Sequence, residues 1–172
     1  MPEQSLQLNS IPSNRNANGL NPLSYLKRKR DERFLRERDD LRRYLESALP
    51  LAEDVDRLYR EWRKAVQISE PIKDCQKAAN VTAIYWWQIT ERLRVFREYV
   101  PPKTGQRYHN RFMNALTNAS VGTEILKNGF RFNKFADVSR GIGYLDEYLK
   151  SMSQAEAEMG RLLRKYRFID DE

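Results

Sequence analysis

The chain has 172 residues, enough for one domain that buries about 70% of the surface exposed by its unfolded form. With 40% hydrophobic, 11% aromatic and 32% charged residues, the composition excludes a chain that is disordered throughout. No run of about 18 apolar residues occurs and the first residues lack an export-signal pattern, so we expect neither a membrane span nor secretion. We expect a cytoplasmic protein, with a nuclear or nucleoid-associated location as the alternative. The formal net charge of +7 favours polyanionic partners.

The two ends of the chain differ in composition from the rest. Residues 1–21 are rich in Asn, Ser and Pro and have little apolar periodicity, which predicts a disordered polar tail. Residues 169–172 form a short acidic tail. Between these tails we expect a single folded domain over residues 22–168.

The first helical pattern begins at Pro22 and is thinly apolar in its first half. Pro50 is expected to break or kink the chain, because proline lacks an amide hydrogen and its ring crowds the preceding turn. Apolar residues return at helical spacing from Leu51 to Val66, which predicts a second helix. Alternatively, these first two helices are joined.

A long apolar stripe predicts the third helix. Its members recur at steps of three and four residues and are Ile72, Cys75, Ala79, Thr82, Trp86, Ile89, Leu93, Phe96 and Val100. Two prolines end the stripe, and a weaker helical run follows from Phe112 to Leu126. Asn128 with Gly129 is expected to stop that run.

The last helix is predicted from a second stripe with the same spacing. Its members are Leu145, Tyr148, Met152, Ala155, Met159, Leu162 and Tyr166. Residues 130–135 alternate too briefly for more than an isolated extended turn, and no convincing strand pattern occurs elsewhere. The expected fold is all-α, an elongated up-and-down helical bundle of four to five helices with a disordered N-terminal tail.

The residue types that most catalytic sites need are scarce. The only histidine is His109, and the only cysteine is Cys75 on the apolar stripe, so we expect a buried thiol, no metal site, no cofactor and no catalytic residues. Gly141 and Gly143 lack the strand and the Gly-Lys-Ser/Thr of a phosphate-binding loop. Residues 135–150 have a faint helix-turn-helix character, but they fit one continuous helix better. We therefore expect neither an enzyme nor a small-molecule substrate.

Most of the net charge lies in residues 103–134, where six basic residues occur with a single acid. Aromatic residues lie among them, and guanidinium groups beside aromatic rings suit both phosphates and exposed bases. This pattern predicts a face that binds DNA or RNA, with the members Lys103, Arg107, Tyr108, Arg111, Lys127, Phe130, Arg131 and Lys134. In the alternative, Phe112, Phe132 and Phe135 fasten a connector to the core, and the basic side chains only keep it soluble.

A second basic run opens the mixed-charge segment 27–43. Lys27, Arg28, Lys29 and Arg30 precede its first acid and are candidates for contacts with phosphate, for a nuclear address or for binding an acidic protein. No strong apolar face accompanies them, so we expect no membrane partner.

Two functions from different classes fit these features. The first is a non-enzymatic, basic accessory subunit that binds the nucleic-acid backbone within a larger complex. The second is a protein–protein interaction or self-assembly module without direct nucleic-acid binding. Trp86 and Trp87 are adjacent, so unless both line a wide core, one of them, here Trp87, is the candidate for a partner interface or homo-oligomer contact. An enzyme with a site of scattered Tyr, Arg and carboxylate side chains stays open as a third hypothesis.

Overall fold

The computed structural model of this protein describes residues 22–68 and 74–168, which are almost entirely helical. This part of the chain contains four α-helices and one short 3-10 helix. They are α1 (Pro22–Ile68), α2 (Cys75–Arg97), the 3-10 helix (Lys103–Gly105), α3 (Gln106–Arg131) and α4 (Phe135–Lys165). No strand occurs in the two described segments, so the predicted all-α helical bundle is confirmed.

The chain divides into two compact units, and the division falls within α1. The first unit covers residues 1–34, of which the structure describes one helical segment. The second unit covers residues 35–172 and contains the rest of α1 together with α2, α3 and α4. The predicted tails, residues 1–21 and 169–172, lie outside the described residues. The single domain stays a prediction.

Helix α1 continues through Pro50, so the first two predicted helices are joined. Proline removes one backbone hydrogen bond from a helix interior, because its nitrogen carries no proton. Apolar residues on both sides, including Ala48 and Val55, are fully buried in the same core, and this burial holds both halves of α1 in place. Pro50 and Glu46, whose carbonyl group loses its donor, are both exposed, so water can replace the missing bond.

The apolar stripe of α2 packs against α1. Trp62 of α1 donates a hydrogen bond from Nε1 to Thr82 Oγ1 at 3.2 Å, which satisfies two polar groups inside the core. The Trp62 ring also stacks on Tyr85, with the ring centroids 5.1 Å apart. The indole thus contributes both apolar contact and a hydrogen bond to this helix pair.

Four predicted members of the α2 stripe need correction or lie outside the described residues, one of them the half-buried Cys75. Tyr85 is buried and its neighbour Trp86 is only half-buried, so the centre of the stripe is one residue earlier than predicted. Val100 is exposed, because α2 ends before it. Ile72 lies outside the described residues.

The predicted helix stop at Asn128 and Gly129 is wrong, since α3 continues to Arg131. Gly129 is buried where α3 meets α4, and a Cβ atom there would lie 2.9 Å from the backbone nitrogen of Val138. The glycine therefore permits a close approach of two helices and does not end the first one. The turn comes at Asn133, whose φ of 50° lies in the left-handed region that asparagine tolerates.

Helix α4 is continuous, so residues 135–150 contain neither the turn of a helix-turn-helix motif nor a phosphate-binding loop. Gly141 and Gly143 both lie inside the helix. Every predicted member of the α4 stripe, from Leu145 to Tyr166, is buried in the core. The three-and-four spacing of apolar residues therefore located this helix correctly.

The histidine of this chain, His109, is buried at the start of α3. Its ring stacks on Phe96 with centroids 4.6 Å apart, and Nδ1 shares a hydrogen bond with the Tyr44 hydroxyl at 3.0 Å. Cys75 is the first residue of α2 and Phe96 lies in its last turn, so the thiol and the imidazole are at opposite ends of that helix. They form no catalytic pair. The thiol is half-buried, where full burial was predicted.

We expect the free energy of unfolding to fall as the pH drops below about 6.5. Burial lowers the pKa of His109, so the folded state keeps the imidazole neutral at pH values where the unfolded chain is already protonated. The unfolded state then binds more protons, and stability decreases from about pH 6.5 down to the lowered pKa of the folded state. Urea unfolding of wild type and His109→Gln over this range measures the effect. A variant with the same pH dependence as wild type would contradict it.

Candidate nucleic-acid interface

Basic and aromatic residues meet at the end of α3 and the start of α4, in a region that we call the α3–α4 corner. Its members are Lys127, Phe130, Arg131, Phe132, Lys134 and Phe135. Phe130 is partly buried and packs against the core, whereas Phe132 is 60% exposed and Phe135 is 76% exposed. The alternative in which Phe132 and Phe135 fasten the connector to the core is therefore wrong for both rings. Phe112 is fully buried, as that alternative expected.

Helix geometry explains why these phenylalanines differ. Leu126 and Phe130 are one turn apart on α3, so Phe130 follows the buried side of the helix. Phe132 lies just beyond the last residue of α3, and Phe135 is the first residue of α4. Neither lies on the buried stripe of a helix, and the turn at Asn133 separates them.

The cations of the corner lie beside aromatic rings. Arg131 Cζ is 5.7 Å and Lys134 Nζ 5.8 Å from the centroid of Phe132, and Lys127 Nζ is 3.7 Å from the centroid of Trp86. Such contacts stabilise a cation by about 0.5–1 kcal/mol at exposed sites. Within the described residues no carboxylate pairs with Arg131 or Lys134. Their charges are thus available to an anionic partner.

The predicted single face over residues 103–134 does not form. Arg107 and Arg111 are near the start of α3, roughly 30 Å along the axis from Lys127 and Arg131 at 1.5 Å per residue. The same separation turns the two pairs by about 200°, to nearly opposite sides of the helix. The contacts of these residues agree with opposite sides, since Arg111 donates a hydrogen bond to α4 whereas Lys127 lies over the Trp86 ring of α2. The basic residues of α3 therefore form two separate patches.

At the start of α3, the predicted binding groups are partly used by the protein itself. Tyr108 is only 3% exposed, so the prediction that its ring contacts nucleic acid is wrong. Arg111 donates from Nη1 to the main-chain oxygen of Gln154 at 2.9 Å. Lys103 is exposed, but no exposed aromatic residue of the predicted nucleic-acid face lies beside it. This patch lacks the combination of cation and accessible aromatic ring that the corner has.

The neighbouring charge on α4 also occupies the arginines of this patch. Hydrogen bonds from Arg161 hold the pKa of the buried Glu158 carboxyl below its usual range, and the nearby charges of Arg111 and Arg107 act in the same direction. These two arginines therefore stabilise a buried carboxylate of their own chain. An anion that bound them would compete with Glu158.

The basic run at residues 27–30 lies on the helical segment of the first unit and is exposed. Arg28 donates from Nε to Glu32 at 3.0 Å, and Lys29 Nζ lies 4.9 Å from the ring centroid of Tyr25. Contacts within the same helix thus hold the side chains of Arg28 and Lys29. Its binding to nucleic acid stays a prediction.

Trp87, the predicted partner contact, is 60% exposed on α2. Ile84 lies one turn before it and is 61% exposed, so two large apolar side chains share one open side of the helix. Sequence reasoning missed Ile84. The available signal was its spacing of three residues from Trp87, with both positions outside the buried stripe.

No protein-family model matches the chain, no curated protein matches its sequence, and no solved structure matches its fold. In the described segments, no cluster of three or more His, Cys, Asp or Glu side chains is placed to hold a metal ion. Among the helices of those segments, none has a stretch apolar and long enough to cross a bilayer.

Proposed function

We propose that this protein is a non-enzymatic accessory subunit that binds the backbone of single-stranded nucleic acid at the α3–α4 corner, as part of a larger complex. One observation carries the proposal: Phe132 and Phe135 are exposed beside Arg131 and Lys134, which have no carboxylate partner in the described residues. The proposed site consists of four members of the predicted face, Lys127, Phe130, Arg131 and Lys134, together with the two exposed rings.

The chemistry of the corner favours a single strand over a duplex. Phosphates along a strand bind guanidinium and ammonium groups without regard to sequence, because the attraction is electrostatic. Unpaired bases stack on exposed aromatic rings, and this stacking tolerates every base, because each has a π face. A duplex hides those faces, so it would contact the cations of the corner while Phe132 and Phe135 would stack on no base.

We infer that the bundle has up-and-down topology, which places the corner at one end of α3. The support comes from two contacts between each pair of consecutive helices. In each case the later residue of the first helix contacts the earlier residue of the second. These pairs are Asp54–Arg92 and Trp62–Thr82 for α1 and α2, Phe96–His109 and Thr90–Ser120 for α2 and α3, and Gly129–Val138 and Arg111–Gln154 for α3 and α4. Consecutive helices are thus antiparallel, and the corner is the turn between the last two.

Salt dependence tests the role of the basic residues. If three cations of the corner contact phosphate, the slope of log affinity against log salt should be about −2 for a single strand. Replacing Lys127, Arg131 and Lys134 with Gln should weaken binding and bring this slope close to zero. Fluorescence anisotropy with a labelled oligonucleotide measures both quantities.

A charge-matched control separates local binding from net charge. The triple variant Lys77→Gln, Lys103→Gln and Arg107→Gln also removes two lysines and one arginine, all exposed and all outside the corner. It should keep most of the affinity and of the salt slope. Equal losses in the two triple variants would remove the corner from the proposal.

Self-assembly through α2 is the second candidate function, and the exposure of Ile84 together with Trp87 favours it. Two chains that joined at this side would bury both residues, and truncation of a central tryptophan at an interface often costs at least about 2 kcal/mol. Trp87→Ala should then raise the dimer dissociation constant by at least about thirtyfold. Sedimentation velocity over a range of concentrations measures this. A wild-type protein that stays monomeric throughout would exclude this candidate.

A further inference from the structure

A cavity of about 350 Å³ lies between α1, α3 and α4, away from the α3–α4 corner. Phe112, Met152 and Met159 are among the residues that line it, and all three are buried. Its volume falls in the range of small-molecule sites, and methionine side chains adapt to ligands of different shape. The interior of this cavity therefore suits a small apolar body.

Carboxylates from two helices also line the cavity. Glu53 and Asp56 come from α1, and Glu156 comes from α4. Asp56 is paired with Arg60 at 2.6 Å, whereas Glu53 and Glu156 have no ion-pair partner in the described residues.

A guanidinium also lies close to part of the lining. Arg164 Nη1 would be 3.6 Å from a Cβ atom at Gly160, one helical turn beyond Glu156. Arg60 pairs with Asp56, so Glu53 and Glu156 are the carboxylates of the lining that have no ion-pair partner in the described residues. A cation would be attracted to that side of the cavity.

A buried hydroxyl group provides a second, independent indication of a ligand. Tyr108 lines the cavity and is 3% exposed, and its hydroxyl finds no hydrogen-bond partner in the described residues. Burial raises the pKa of Tyr108, and the nearby Glu156 carboxylate raises it further, so the phenol keeps its proton. A buried hydroxyl without a partner is costly and rare in folded proteins. A ligand with a hydrogen-bonding group would satisfy it.

We infer that this cavity binds a small primary ammonium compound with an apolar body. A primary ammonium carries three N–H donors, which matches the two unpaired carboxylates, Glu53 and Glu156, and the phenol oxygen of Tyr108. The apolar body packs on Phe112 and the two methionines, and the aromatic rings also favour a cation close to them. A neutral compound of the same shape gains the apolar contact alone.

Isothermal titration with 2-phenylethylammonium and with 2-phenylethanol tests the assignment. The two probes have the same apolar body and differ in the charged group, so the ammonium should bind about twofold to thirtyfold more tightly if each carboxylate contributes as an exposed ion pair does. Equal affinity for the two probes, or no binding of the ammonium compound, would overturn the inference.

Matched variants locate the binding. Glu53→Gln with Glu156→Gln should weaken ammonium binding by about tenfold, while Glu46→Gln with Glu124→Gln, both exposed and outside the cavity, should leave it unchanged. Tyr108→Phe removes a hydroxyl with no internal partner, so the variant should fold as stably as wild type and still bind the ammonium compound several-fold more weakly. Unchanged binding in both cavity variants would place the ligand elsewhere. These titrations contain no nucleic acid, so their outcome is independent of the proposed function.

Discussion

Replacing Phe132 and Phe135 together with alanine is expected to weaken binding to a single-stranded oligonucleotide by at least about thirtyfold. Each ring that stacks on a base contributes about 1–3 kcal/mol, so two rings contribute at least about 2 kcal/mol. Both side chains are more than half exposed, and their removal takes little from the core. Fluorescence anisotropy at low salt measures the loss, and circular dichroism confirms that helix content is kept.

The matched control for this experiment is Trp87→Ala. Trp87 is as exposed as Phe132 but lies on α2, outside the corner. Its removal should leave the affinity within about twofold of wild type, since surface substitutions away from a site change free energies by less than about 0.5 kcal/mol. A double phenylalanine variant that binds as tightly as wild type would show that the rings take no part. The cations of the corner would then have to act alone.

Gly141→Ala is expected to destabilise the fold, while Gly143→Ala, two residues away, is expected to stabilise it. A Cβ atom at Gly141 would lie 2.6 Å from Leu126 Cγ and 2.9 Å from the carbonyl oxygen of Gly122, so α3 and α4 would have to move apart. Overpacking of this kind costs about 1–3 kcal/mol. At Gly143 a Cβ atom meets nothing within 4 Å, and alanine is better than glycine in a helix by about 1 kcal/mol.

The two alanine variants should therefore differ by about 1–3 kcal/mol, or about 2–12 °C in Tm for a chain of this size. Thermal unfolding followed by circular dichroism measures the difference. Because the chemical change is identical, helix propensity cancels between the variants and only the packing differs. Equal Tm values would mean that α3 and α4 do not approach each other as closely at Gly141 as the structure shows.

The helices with regular apolar stripes could be predicted from the sequence, because burial of one side imposes a period that residue types reveal. The stripe of α4 is fully buried as predicted. Glycine was harder to interpret. Gly129 has the composition of a helix stop, but it lies where α3 and α4 touch, and its role depends on Val138, which only the fold brings close.

The residue types of the candidate site could also be predicted from the sequence, but the positions of those residues relative to one another were predicted only in part. The charges and rings of residues 127–135 were evident in the sequence. The separation of Arg107 from Lys127 was predictable as well, because 20 residues of helix turn side chains by about 200°. The exposure of Phe132 and Phe135 was not, since it depends on α3 ending at Arg131 and not at the preceding glycine.

The most direct test of the proposed function is the affinity of wild-type protein, freed of nucleic acid, for a labelled single strand and for the matching duplex. The titration should be repeated between about 50 and 200 mM salt. We expect tighter binding to the single strand and a slope of log affinity against log salt of about −2. No binding to either form at low salt would contradict it, and so would a clear preference for the duplex.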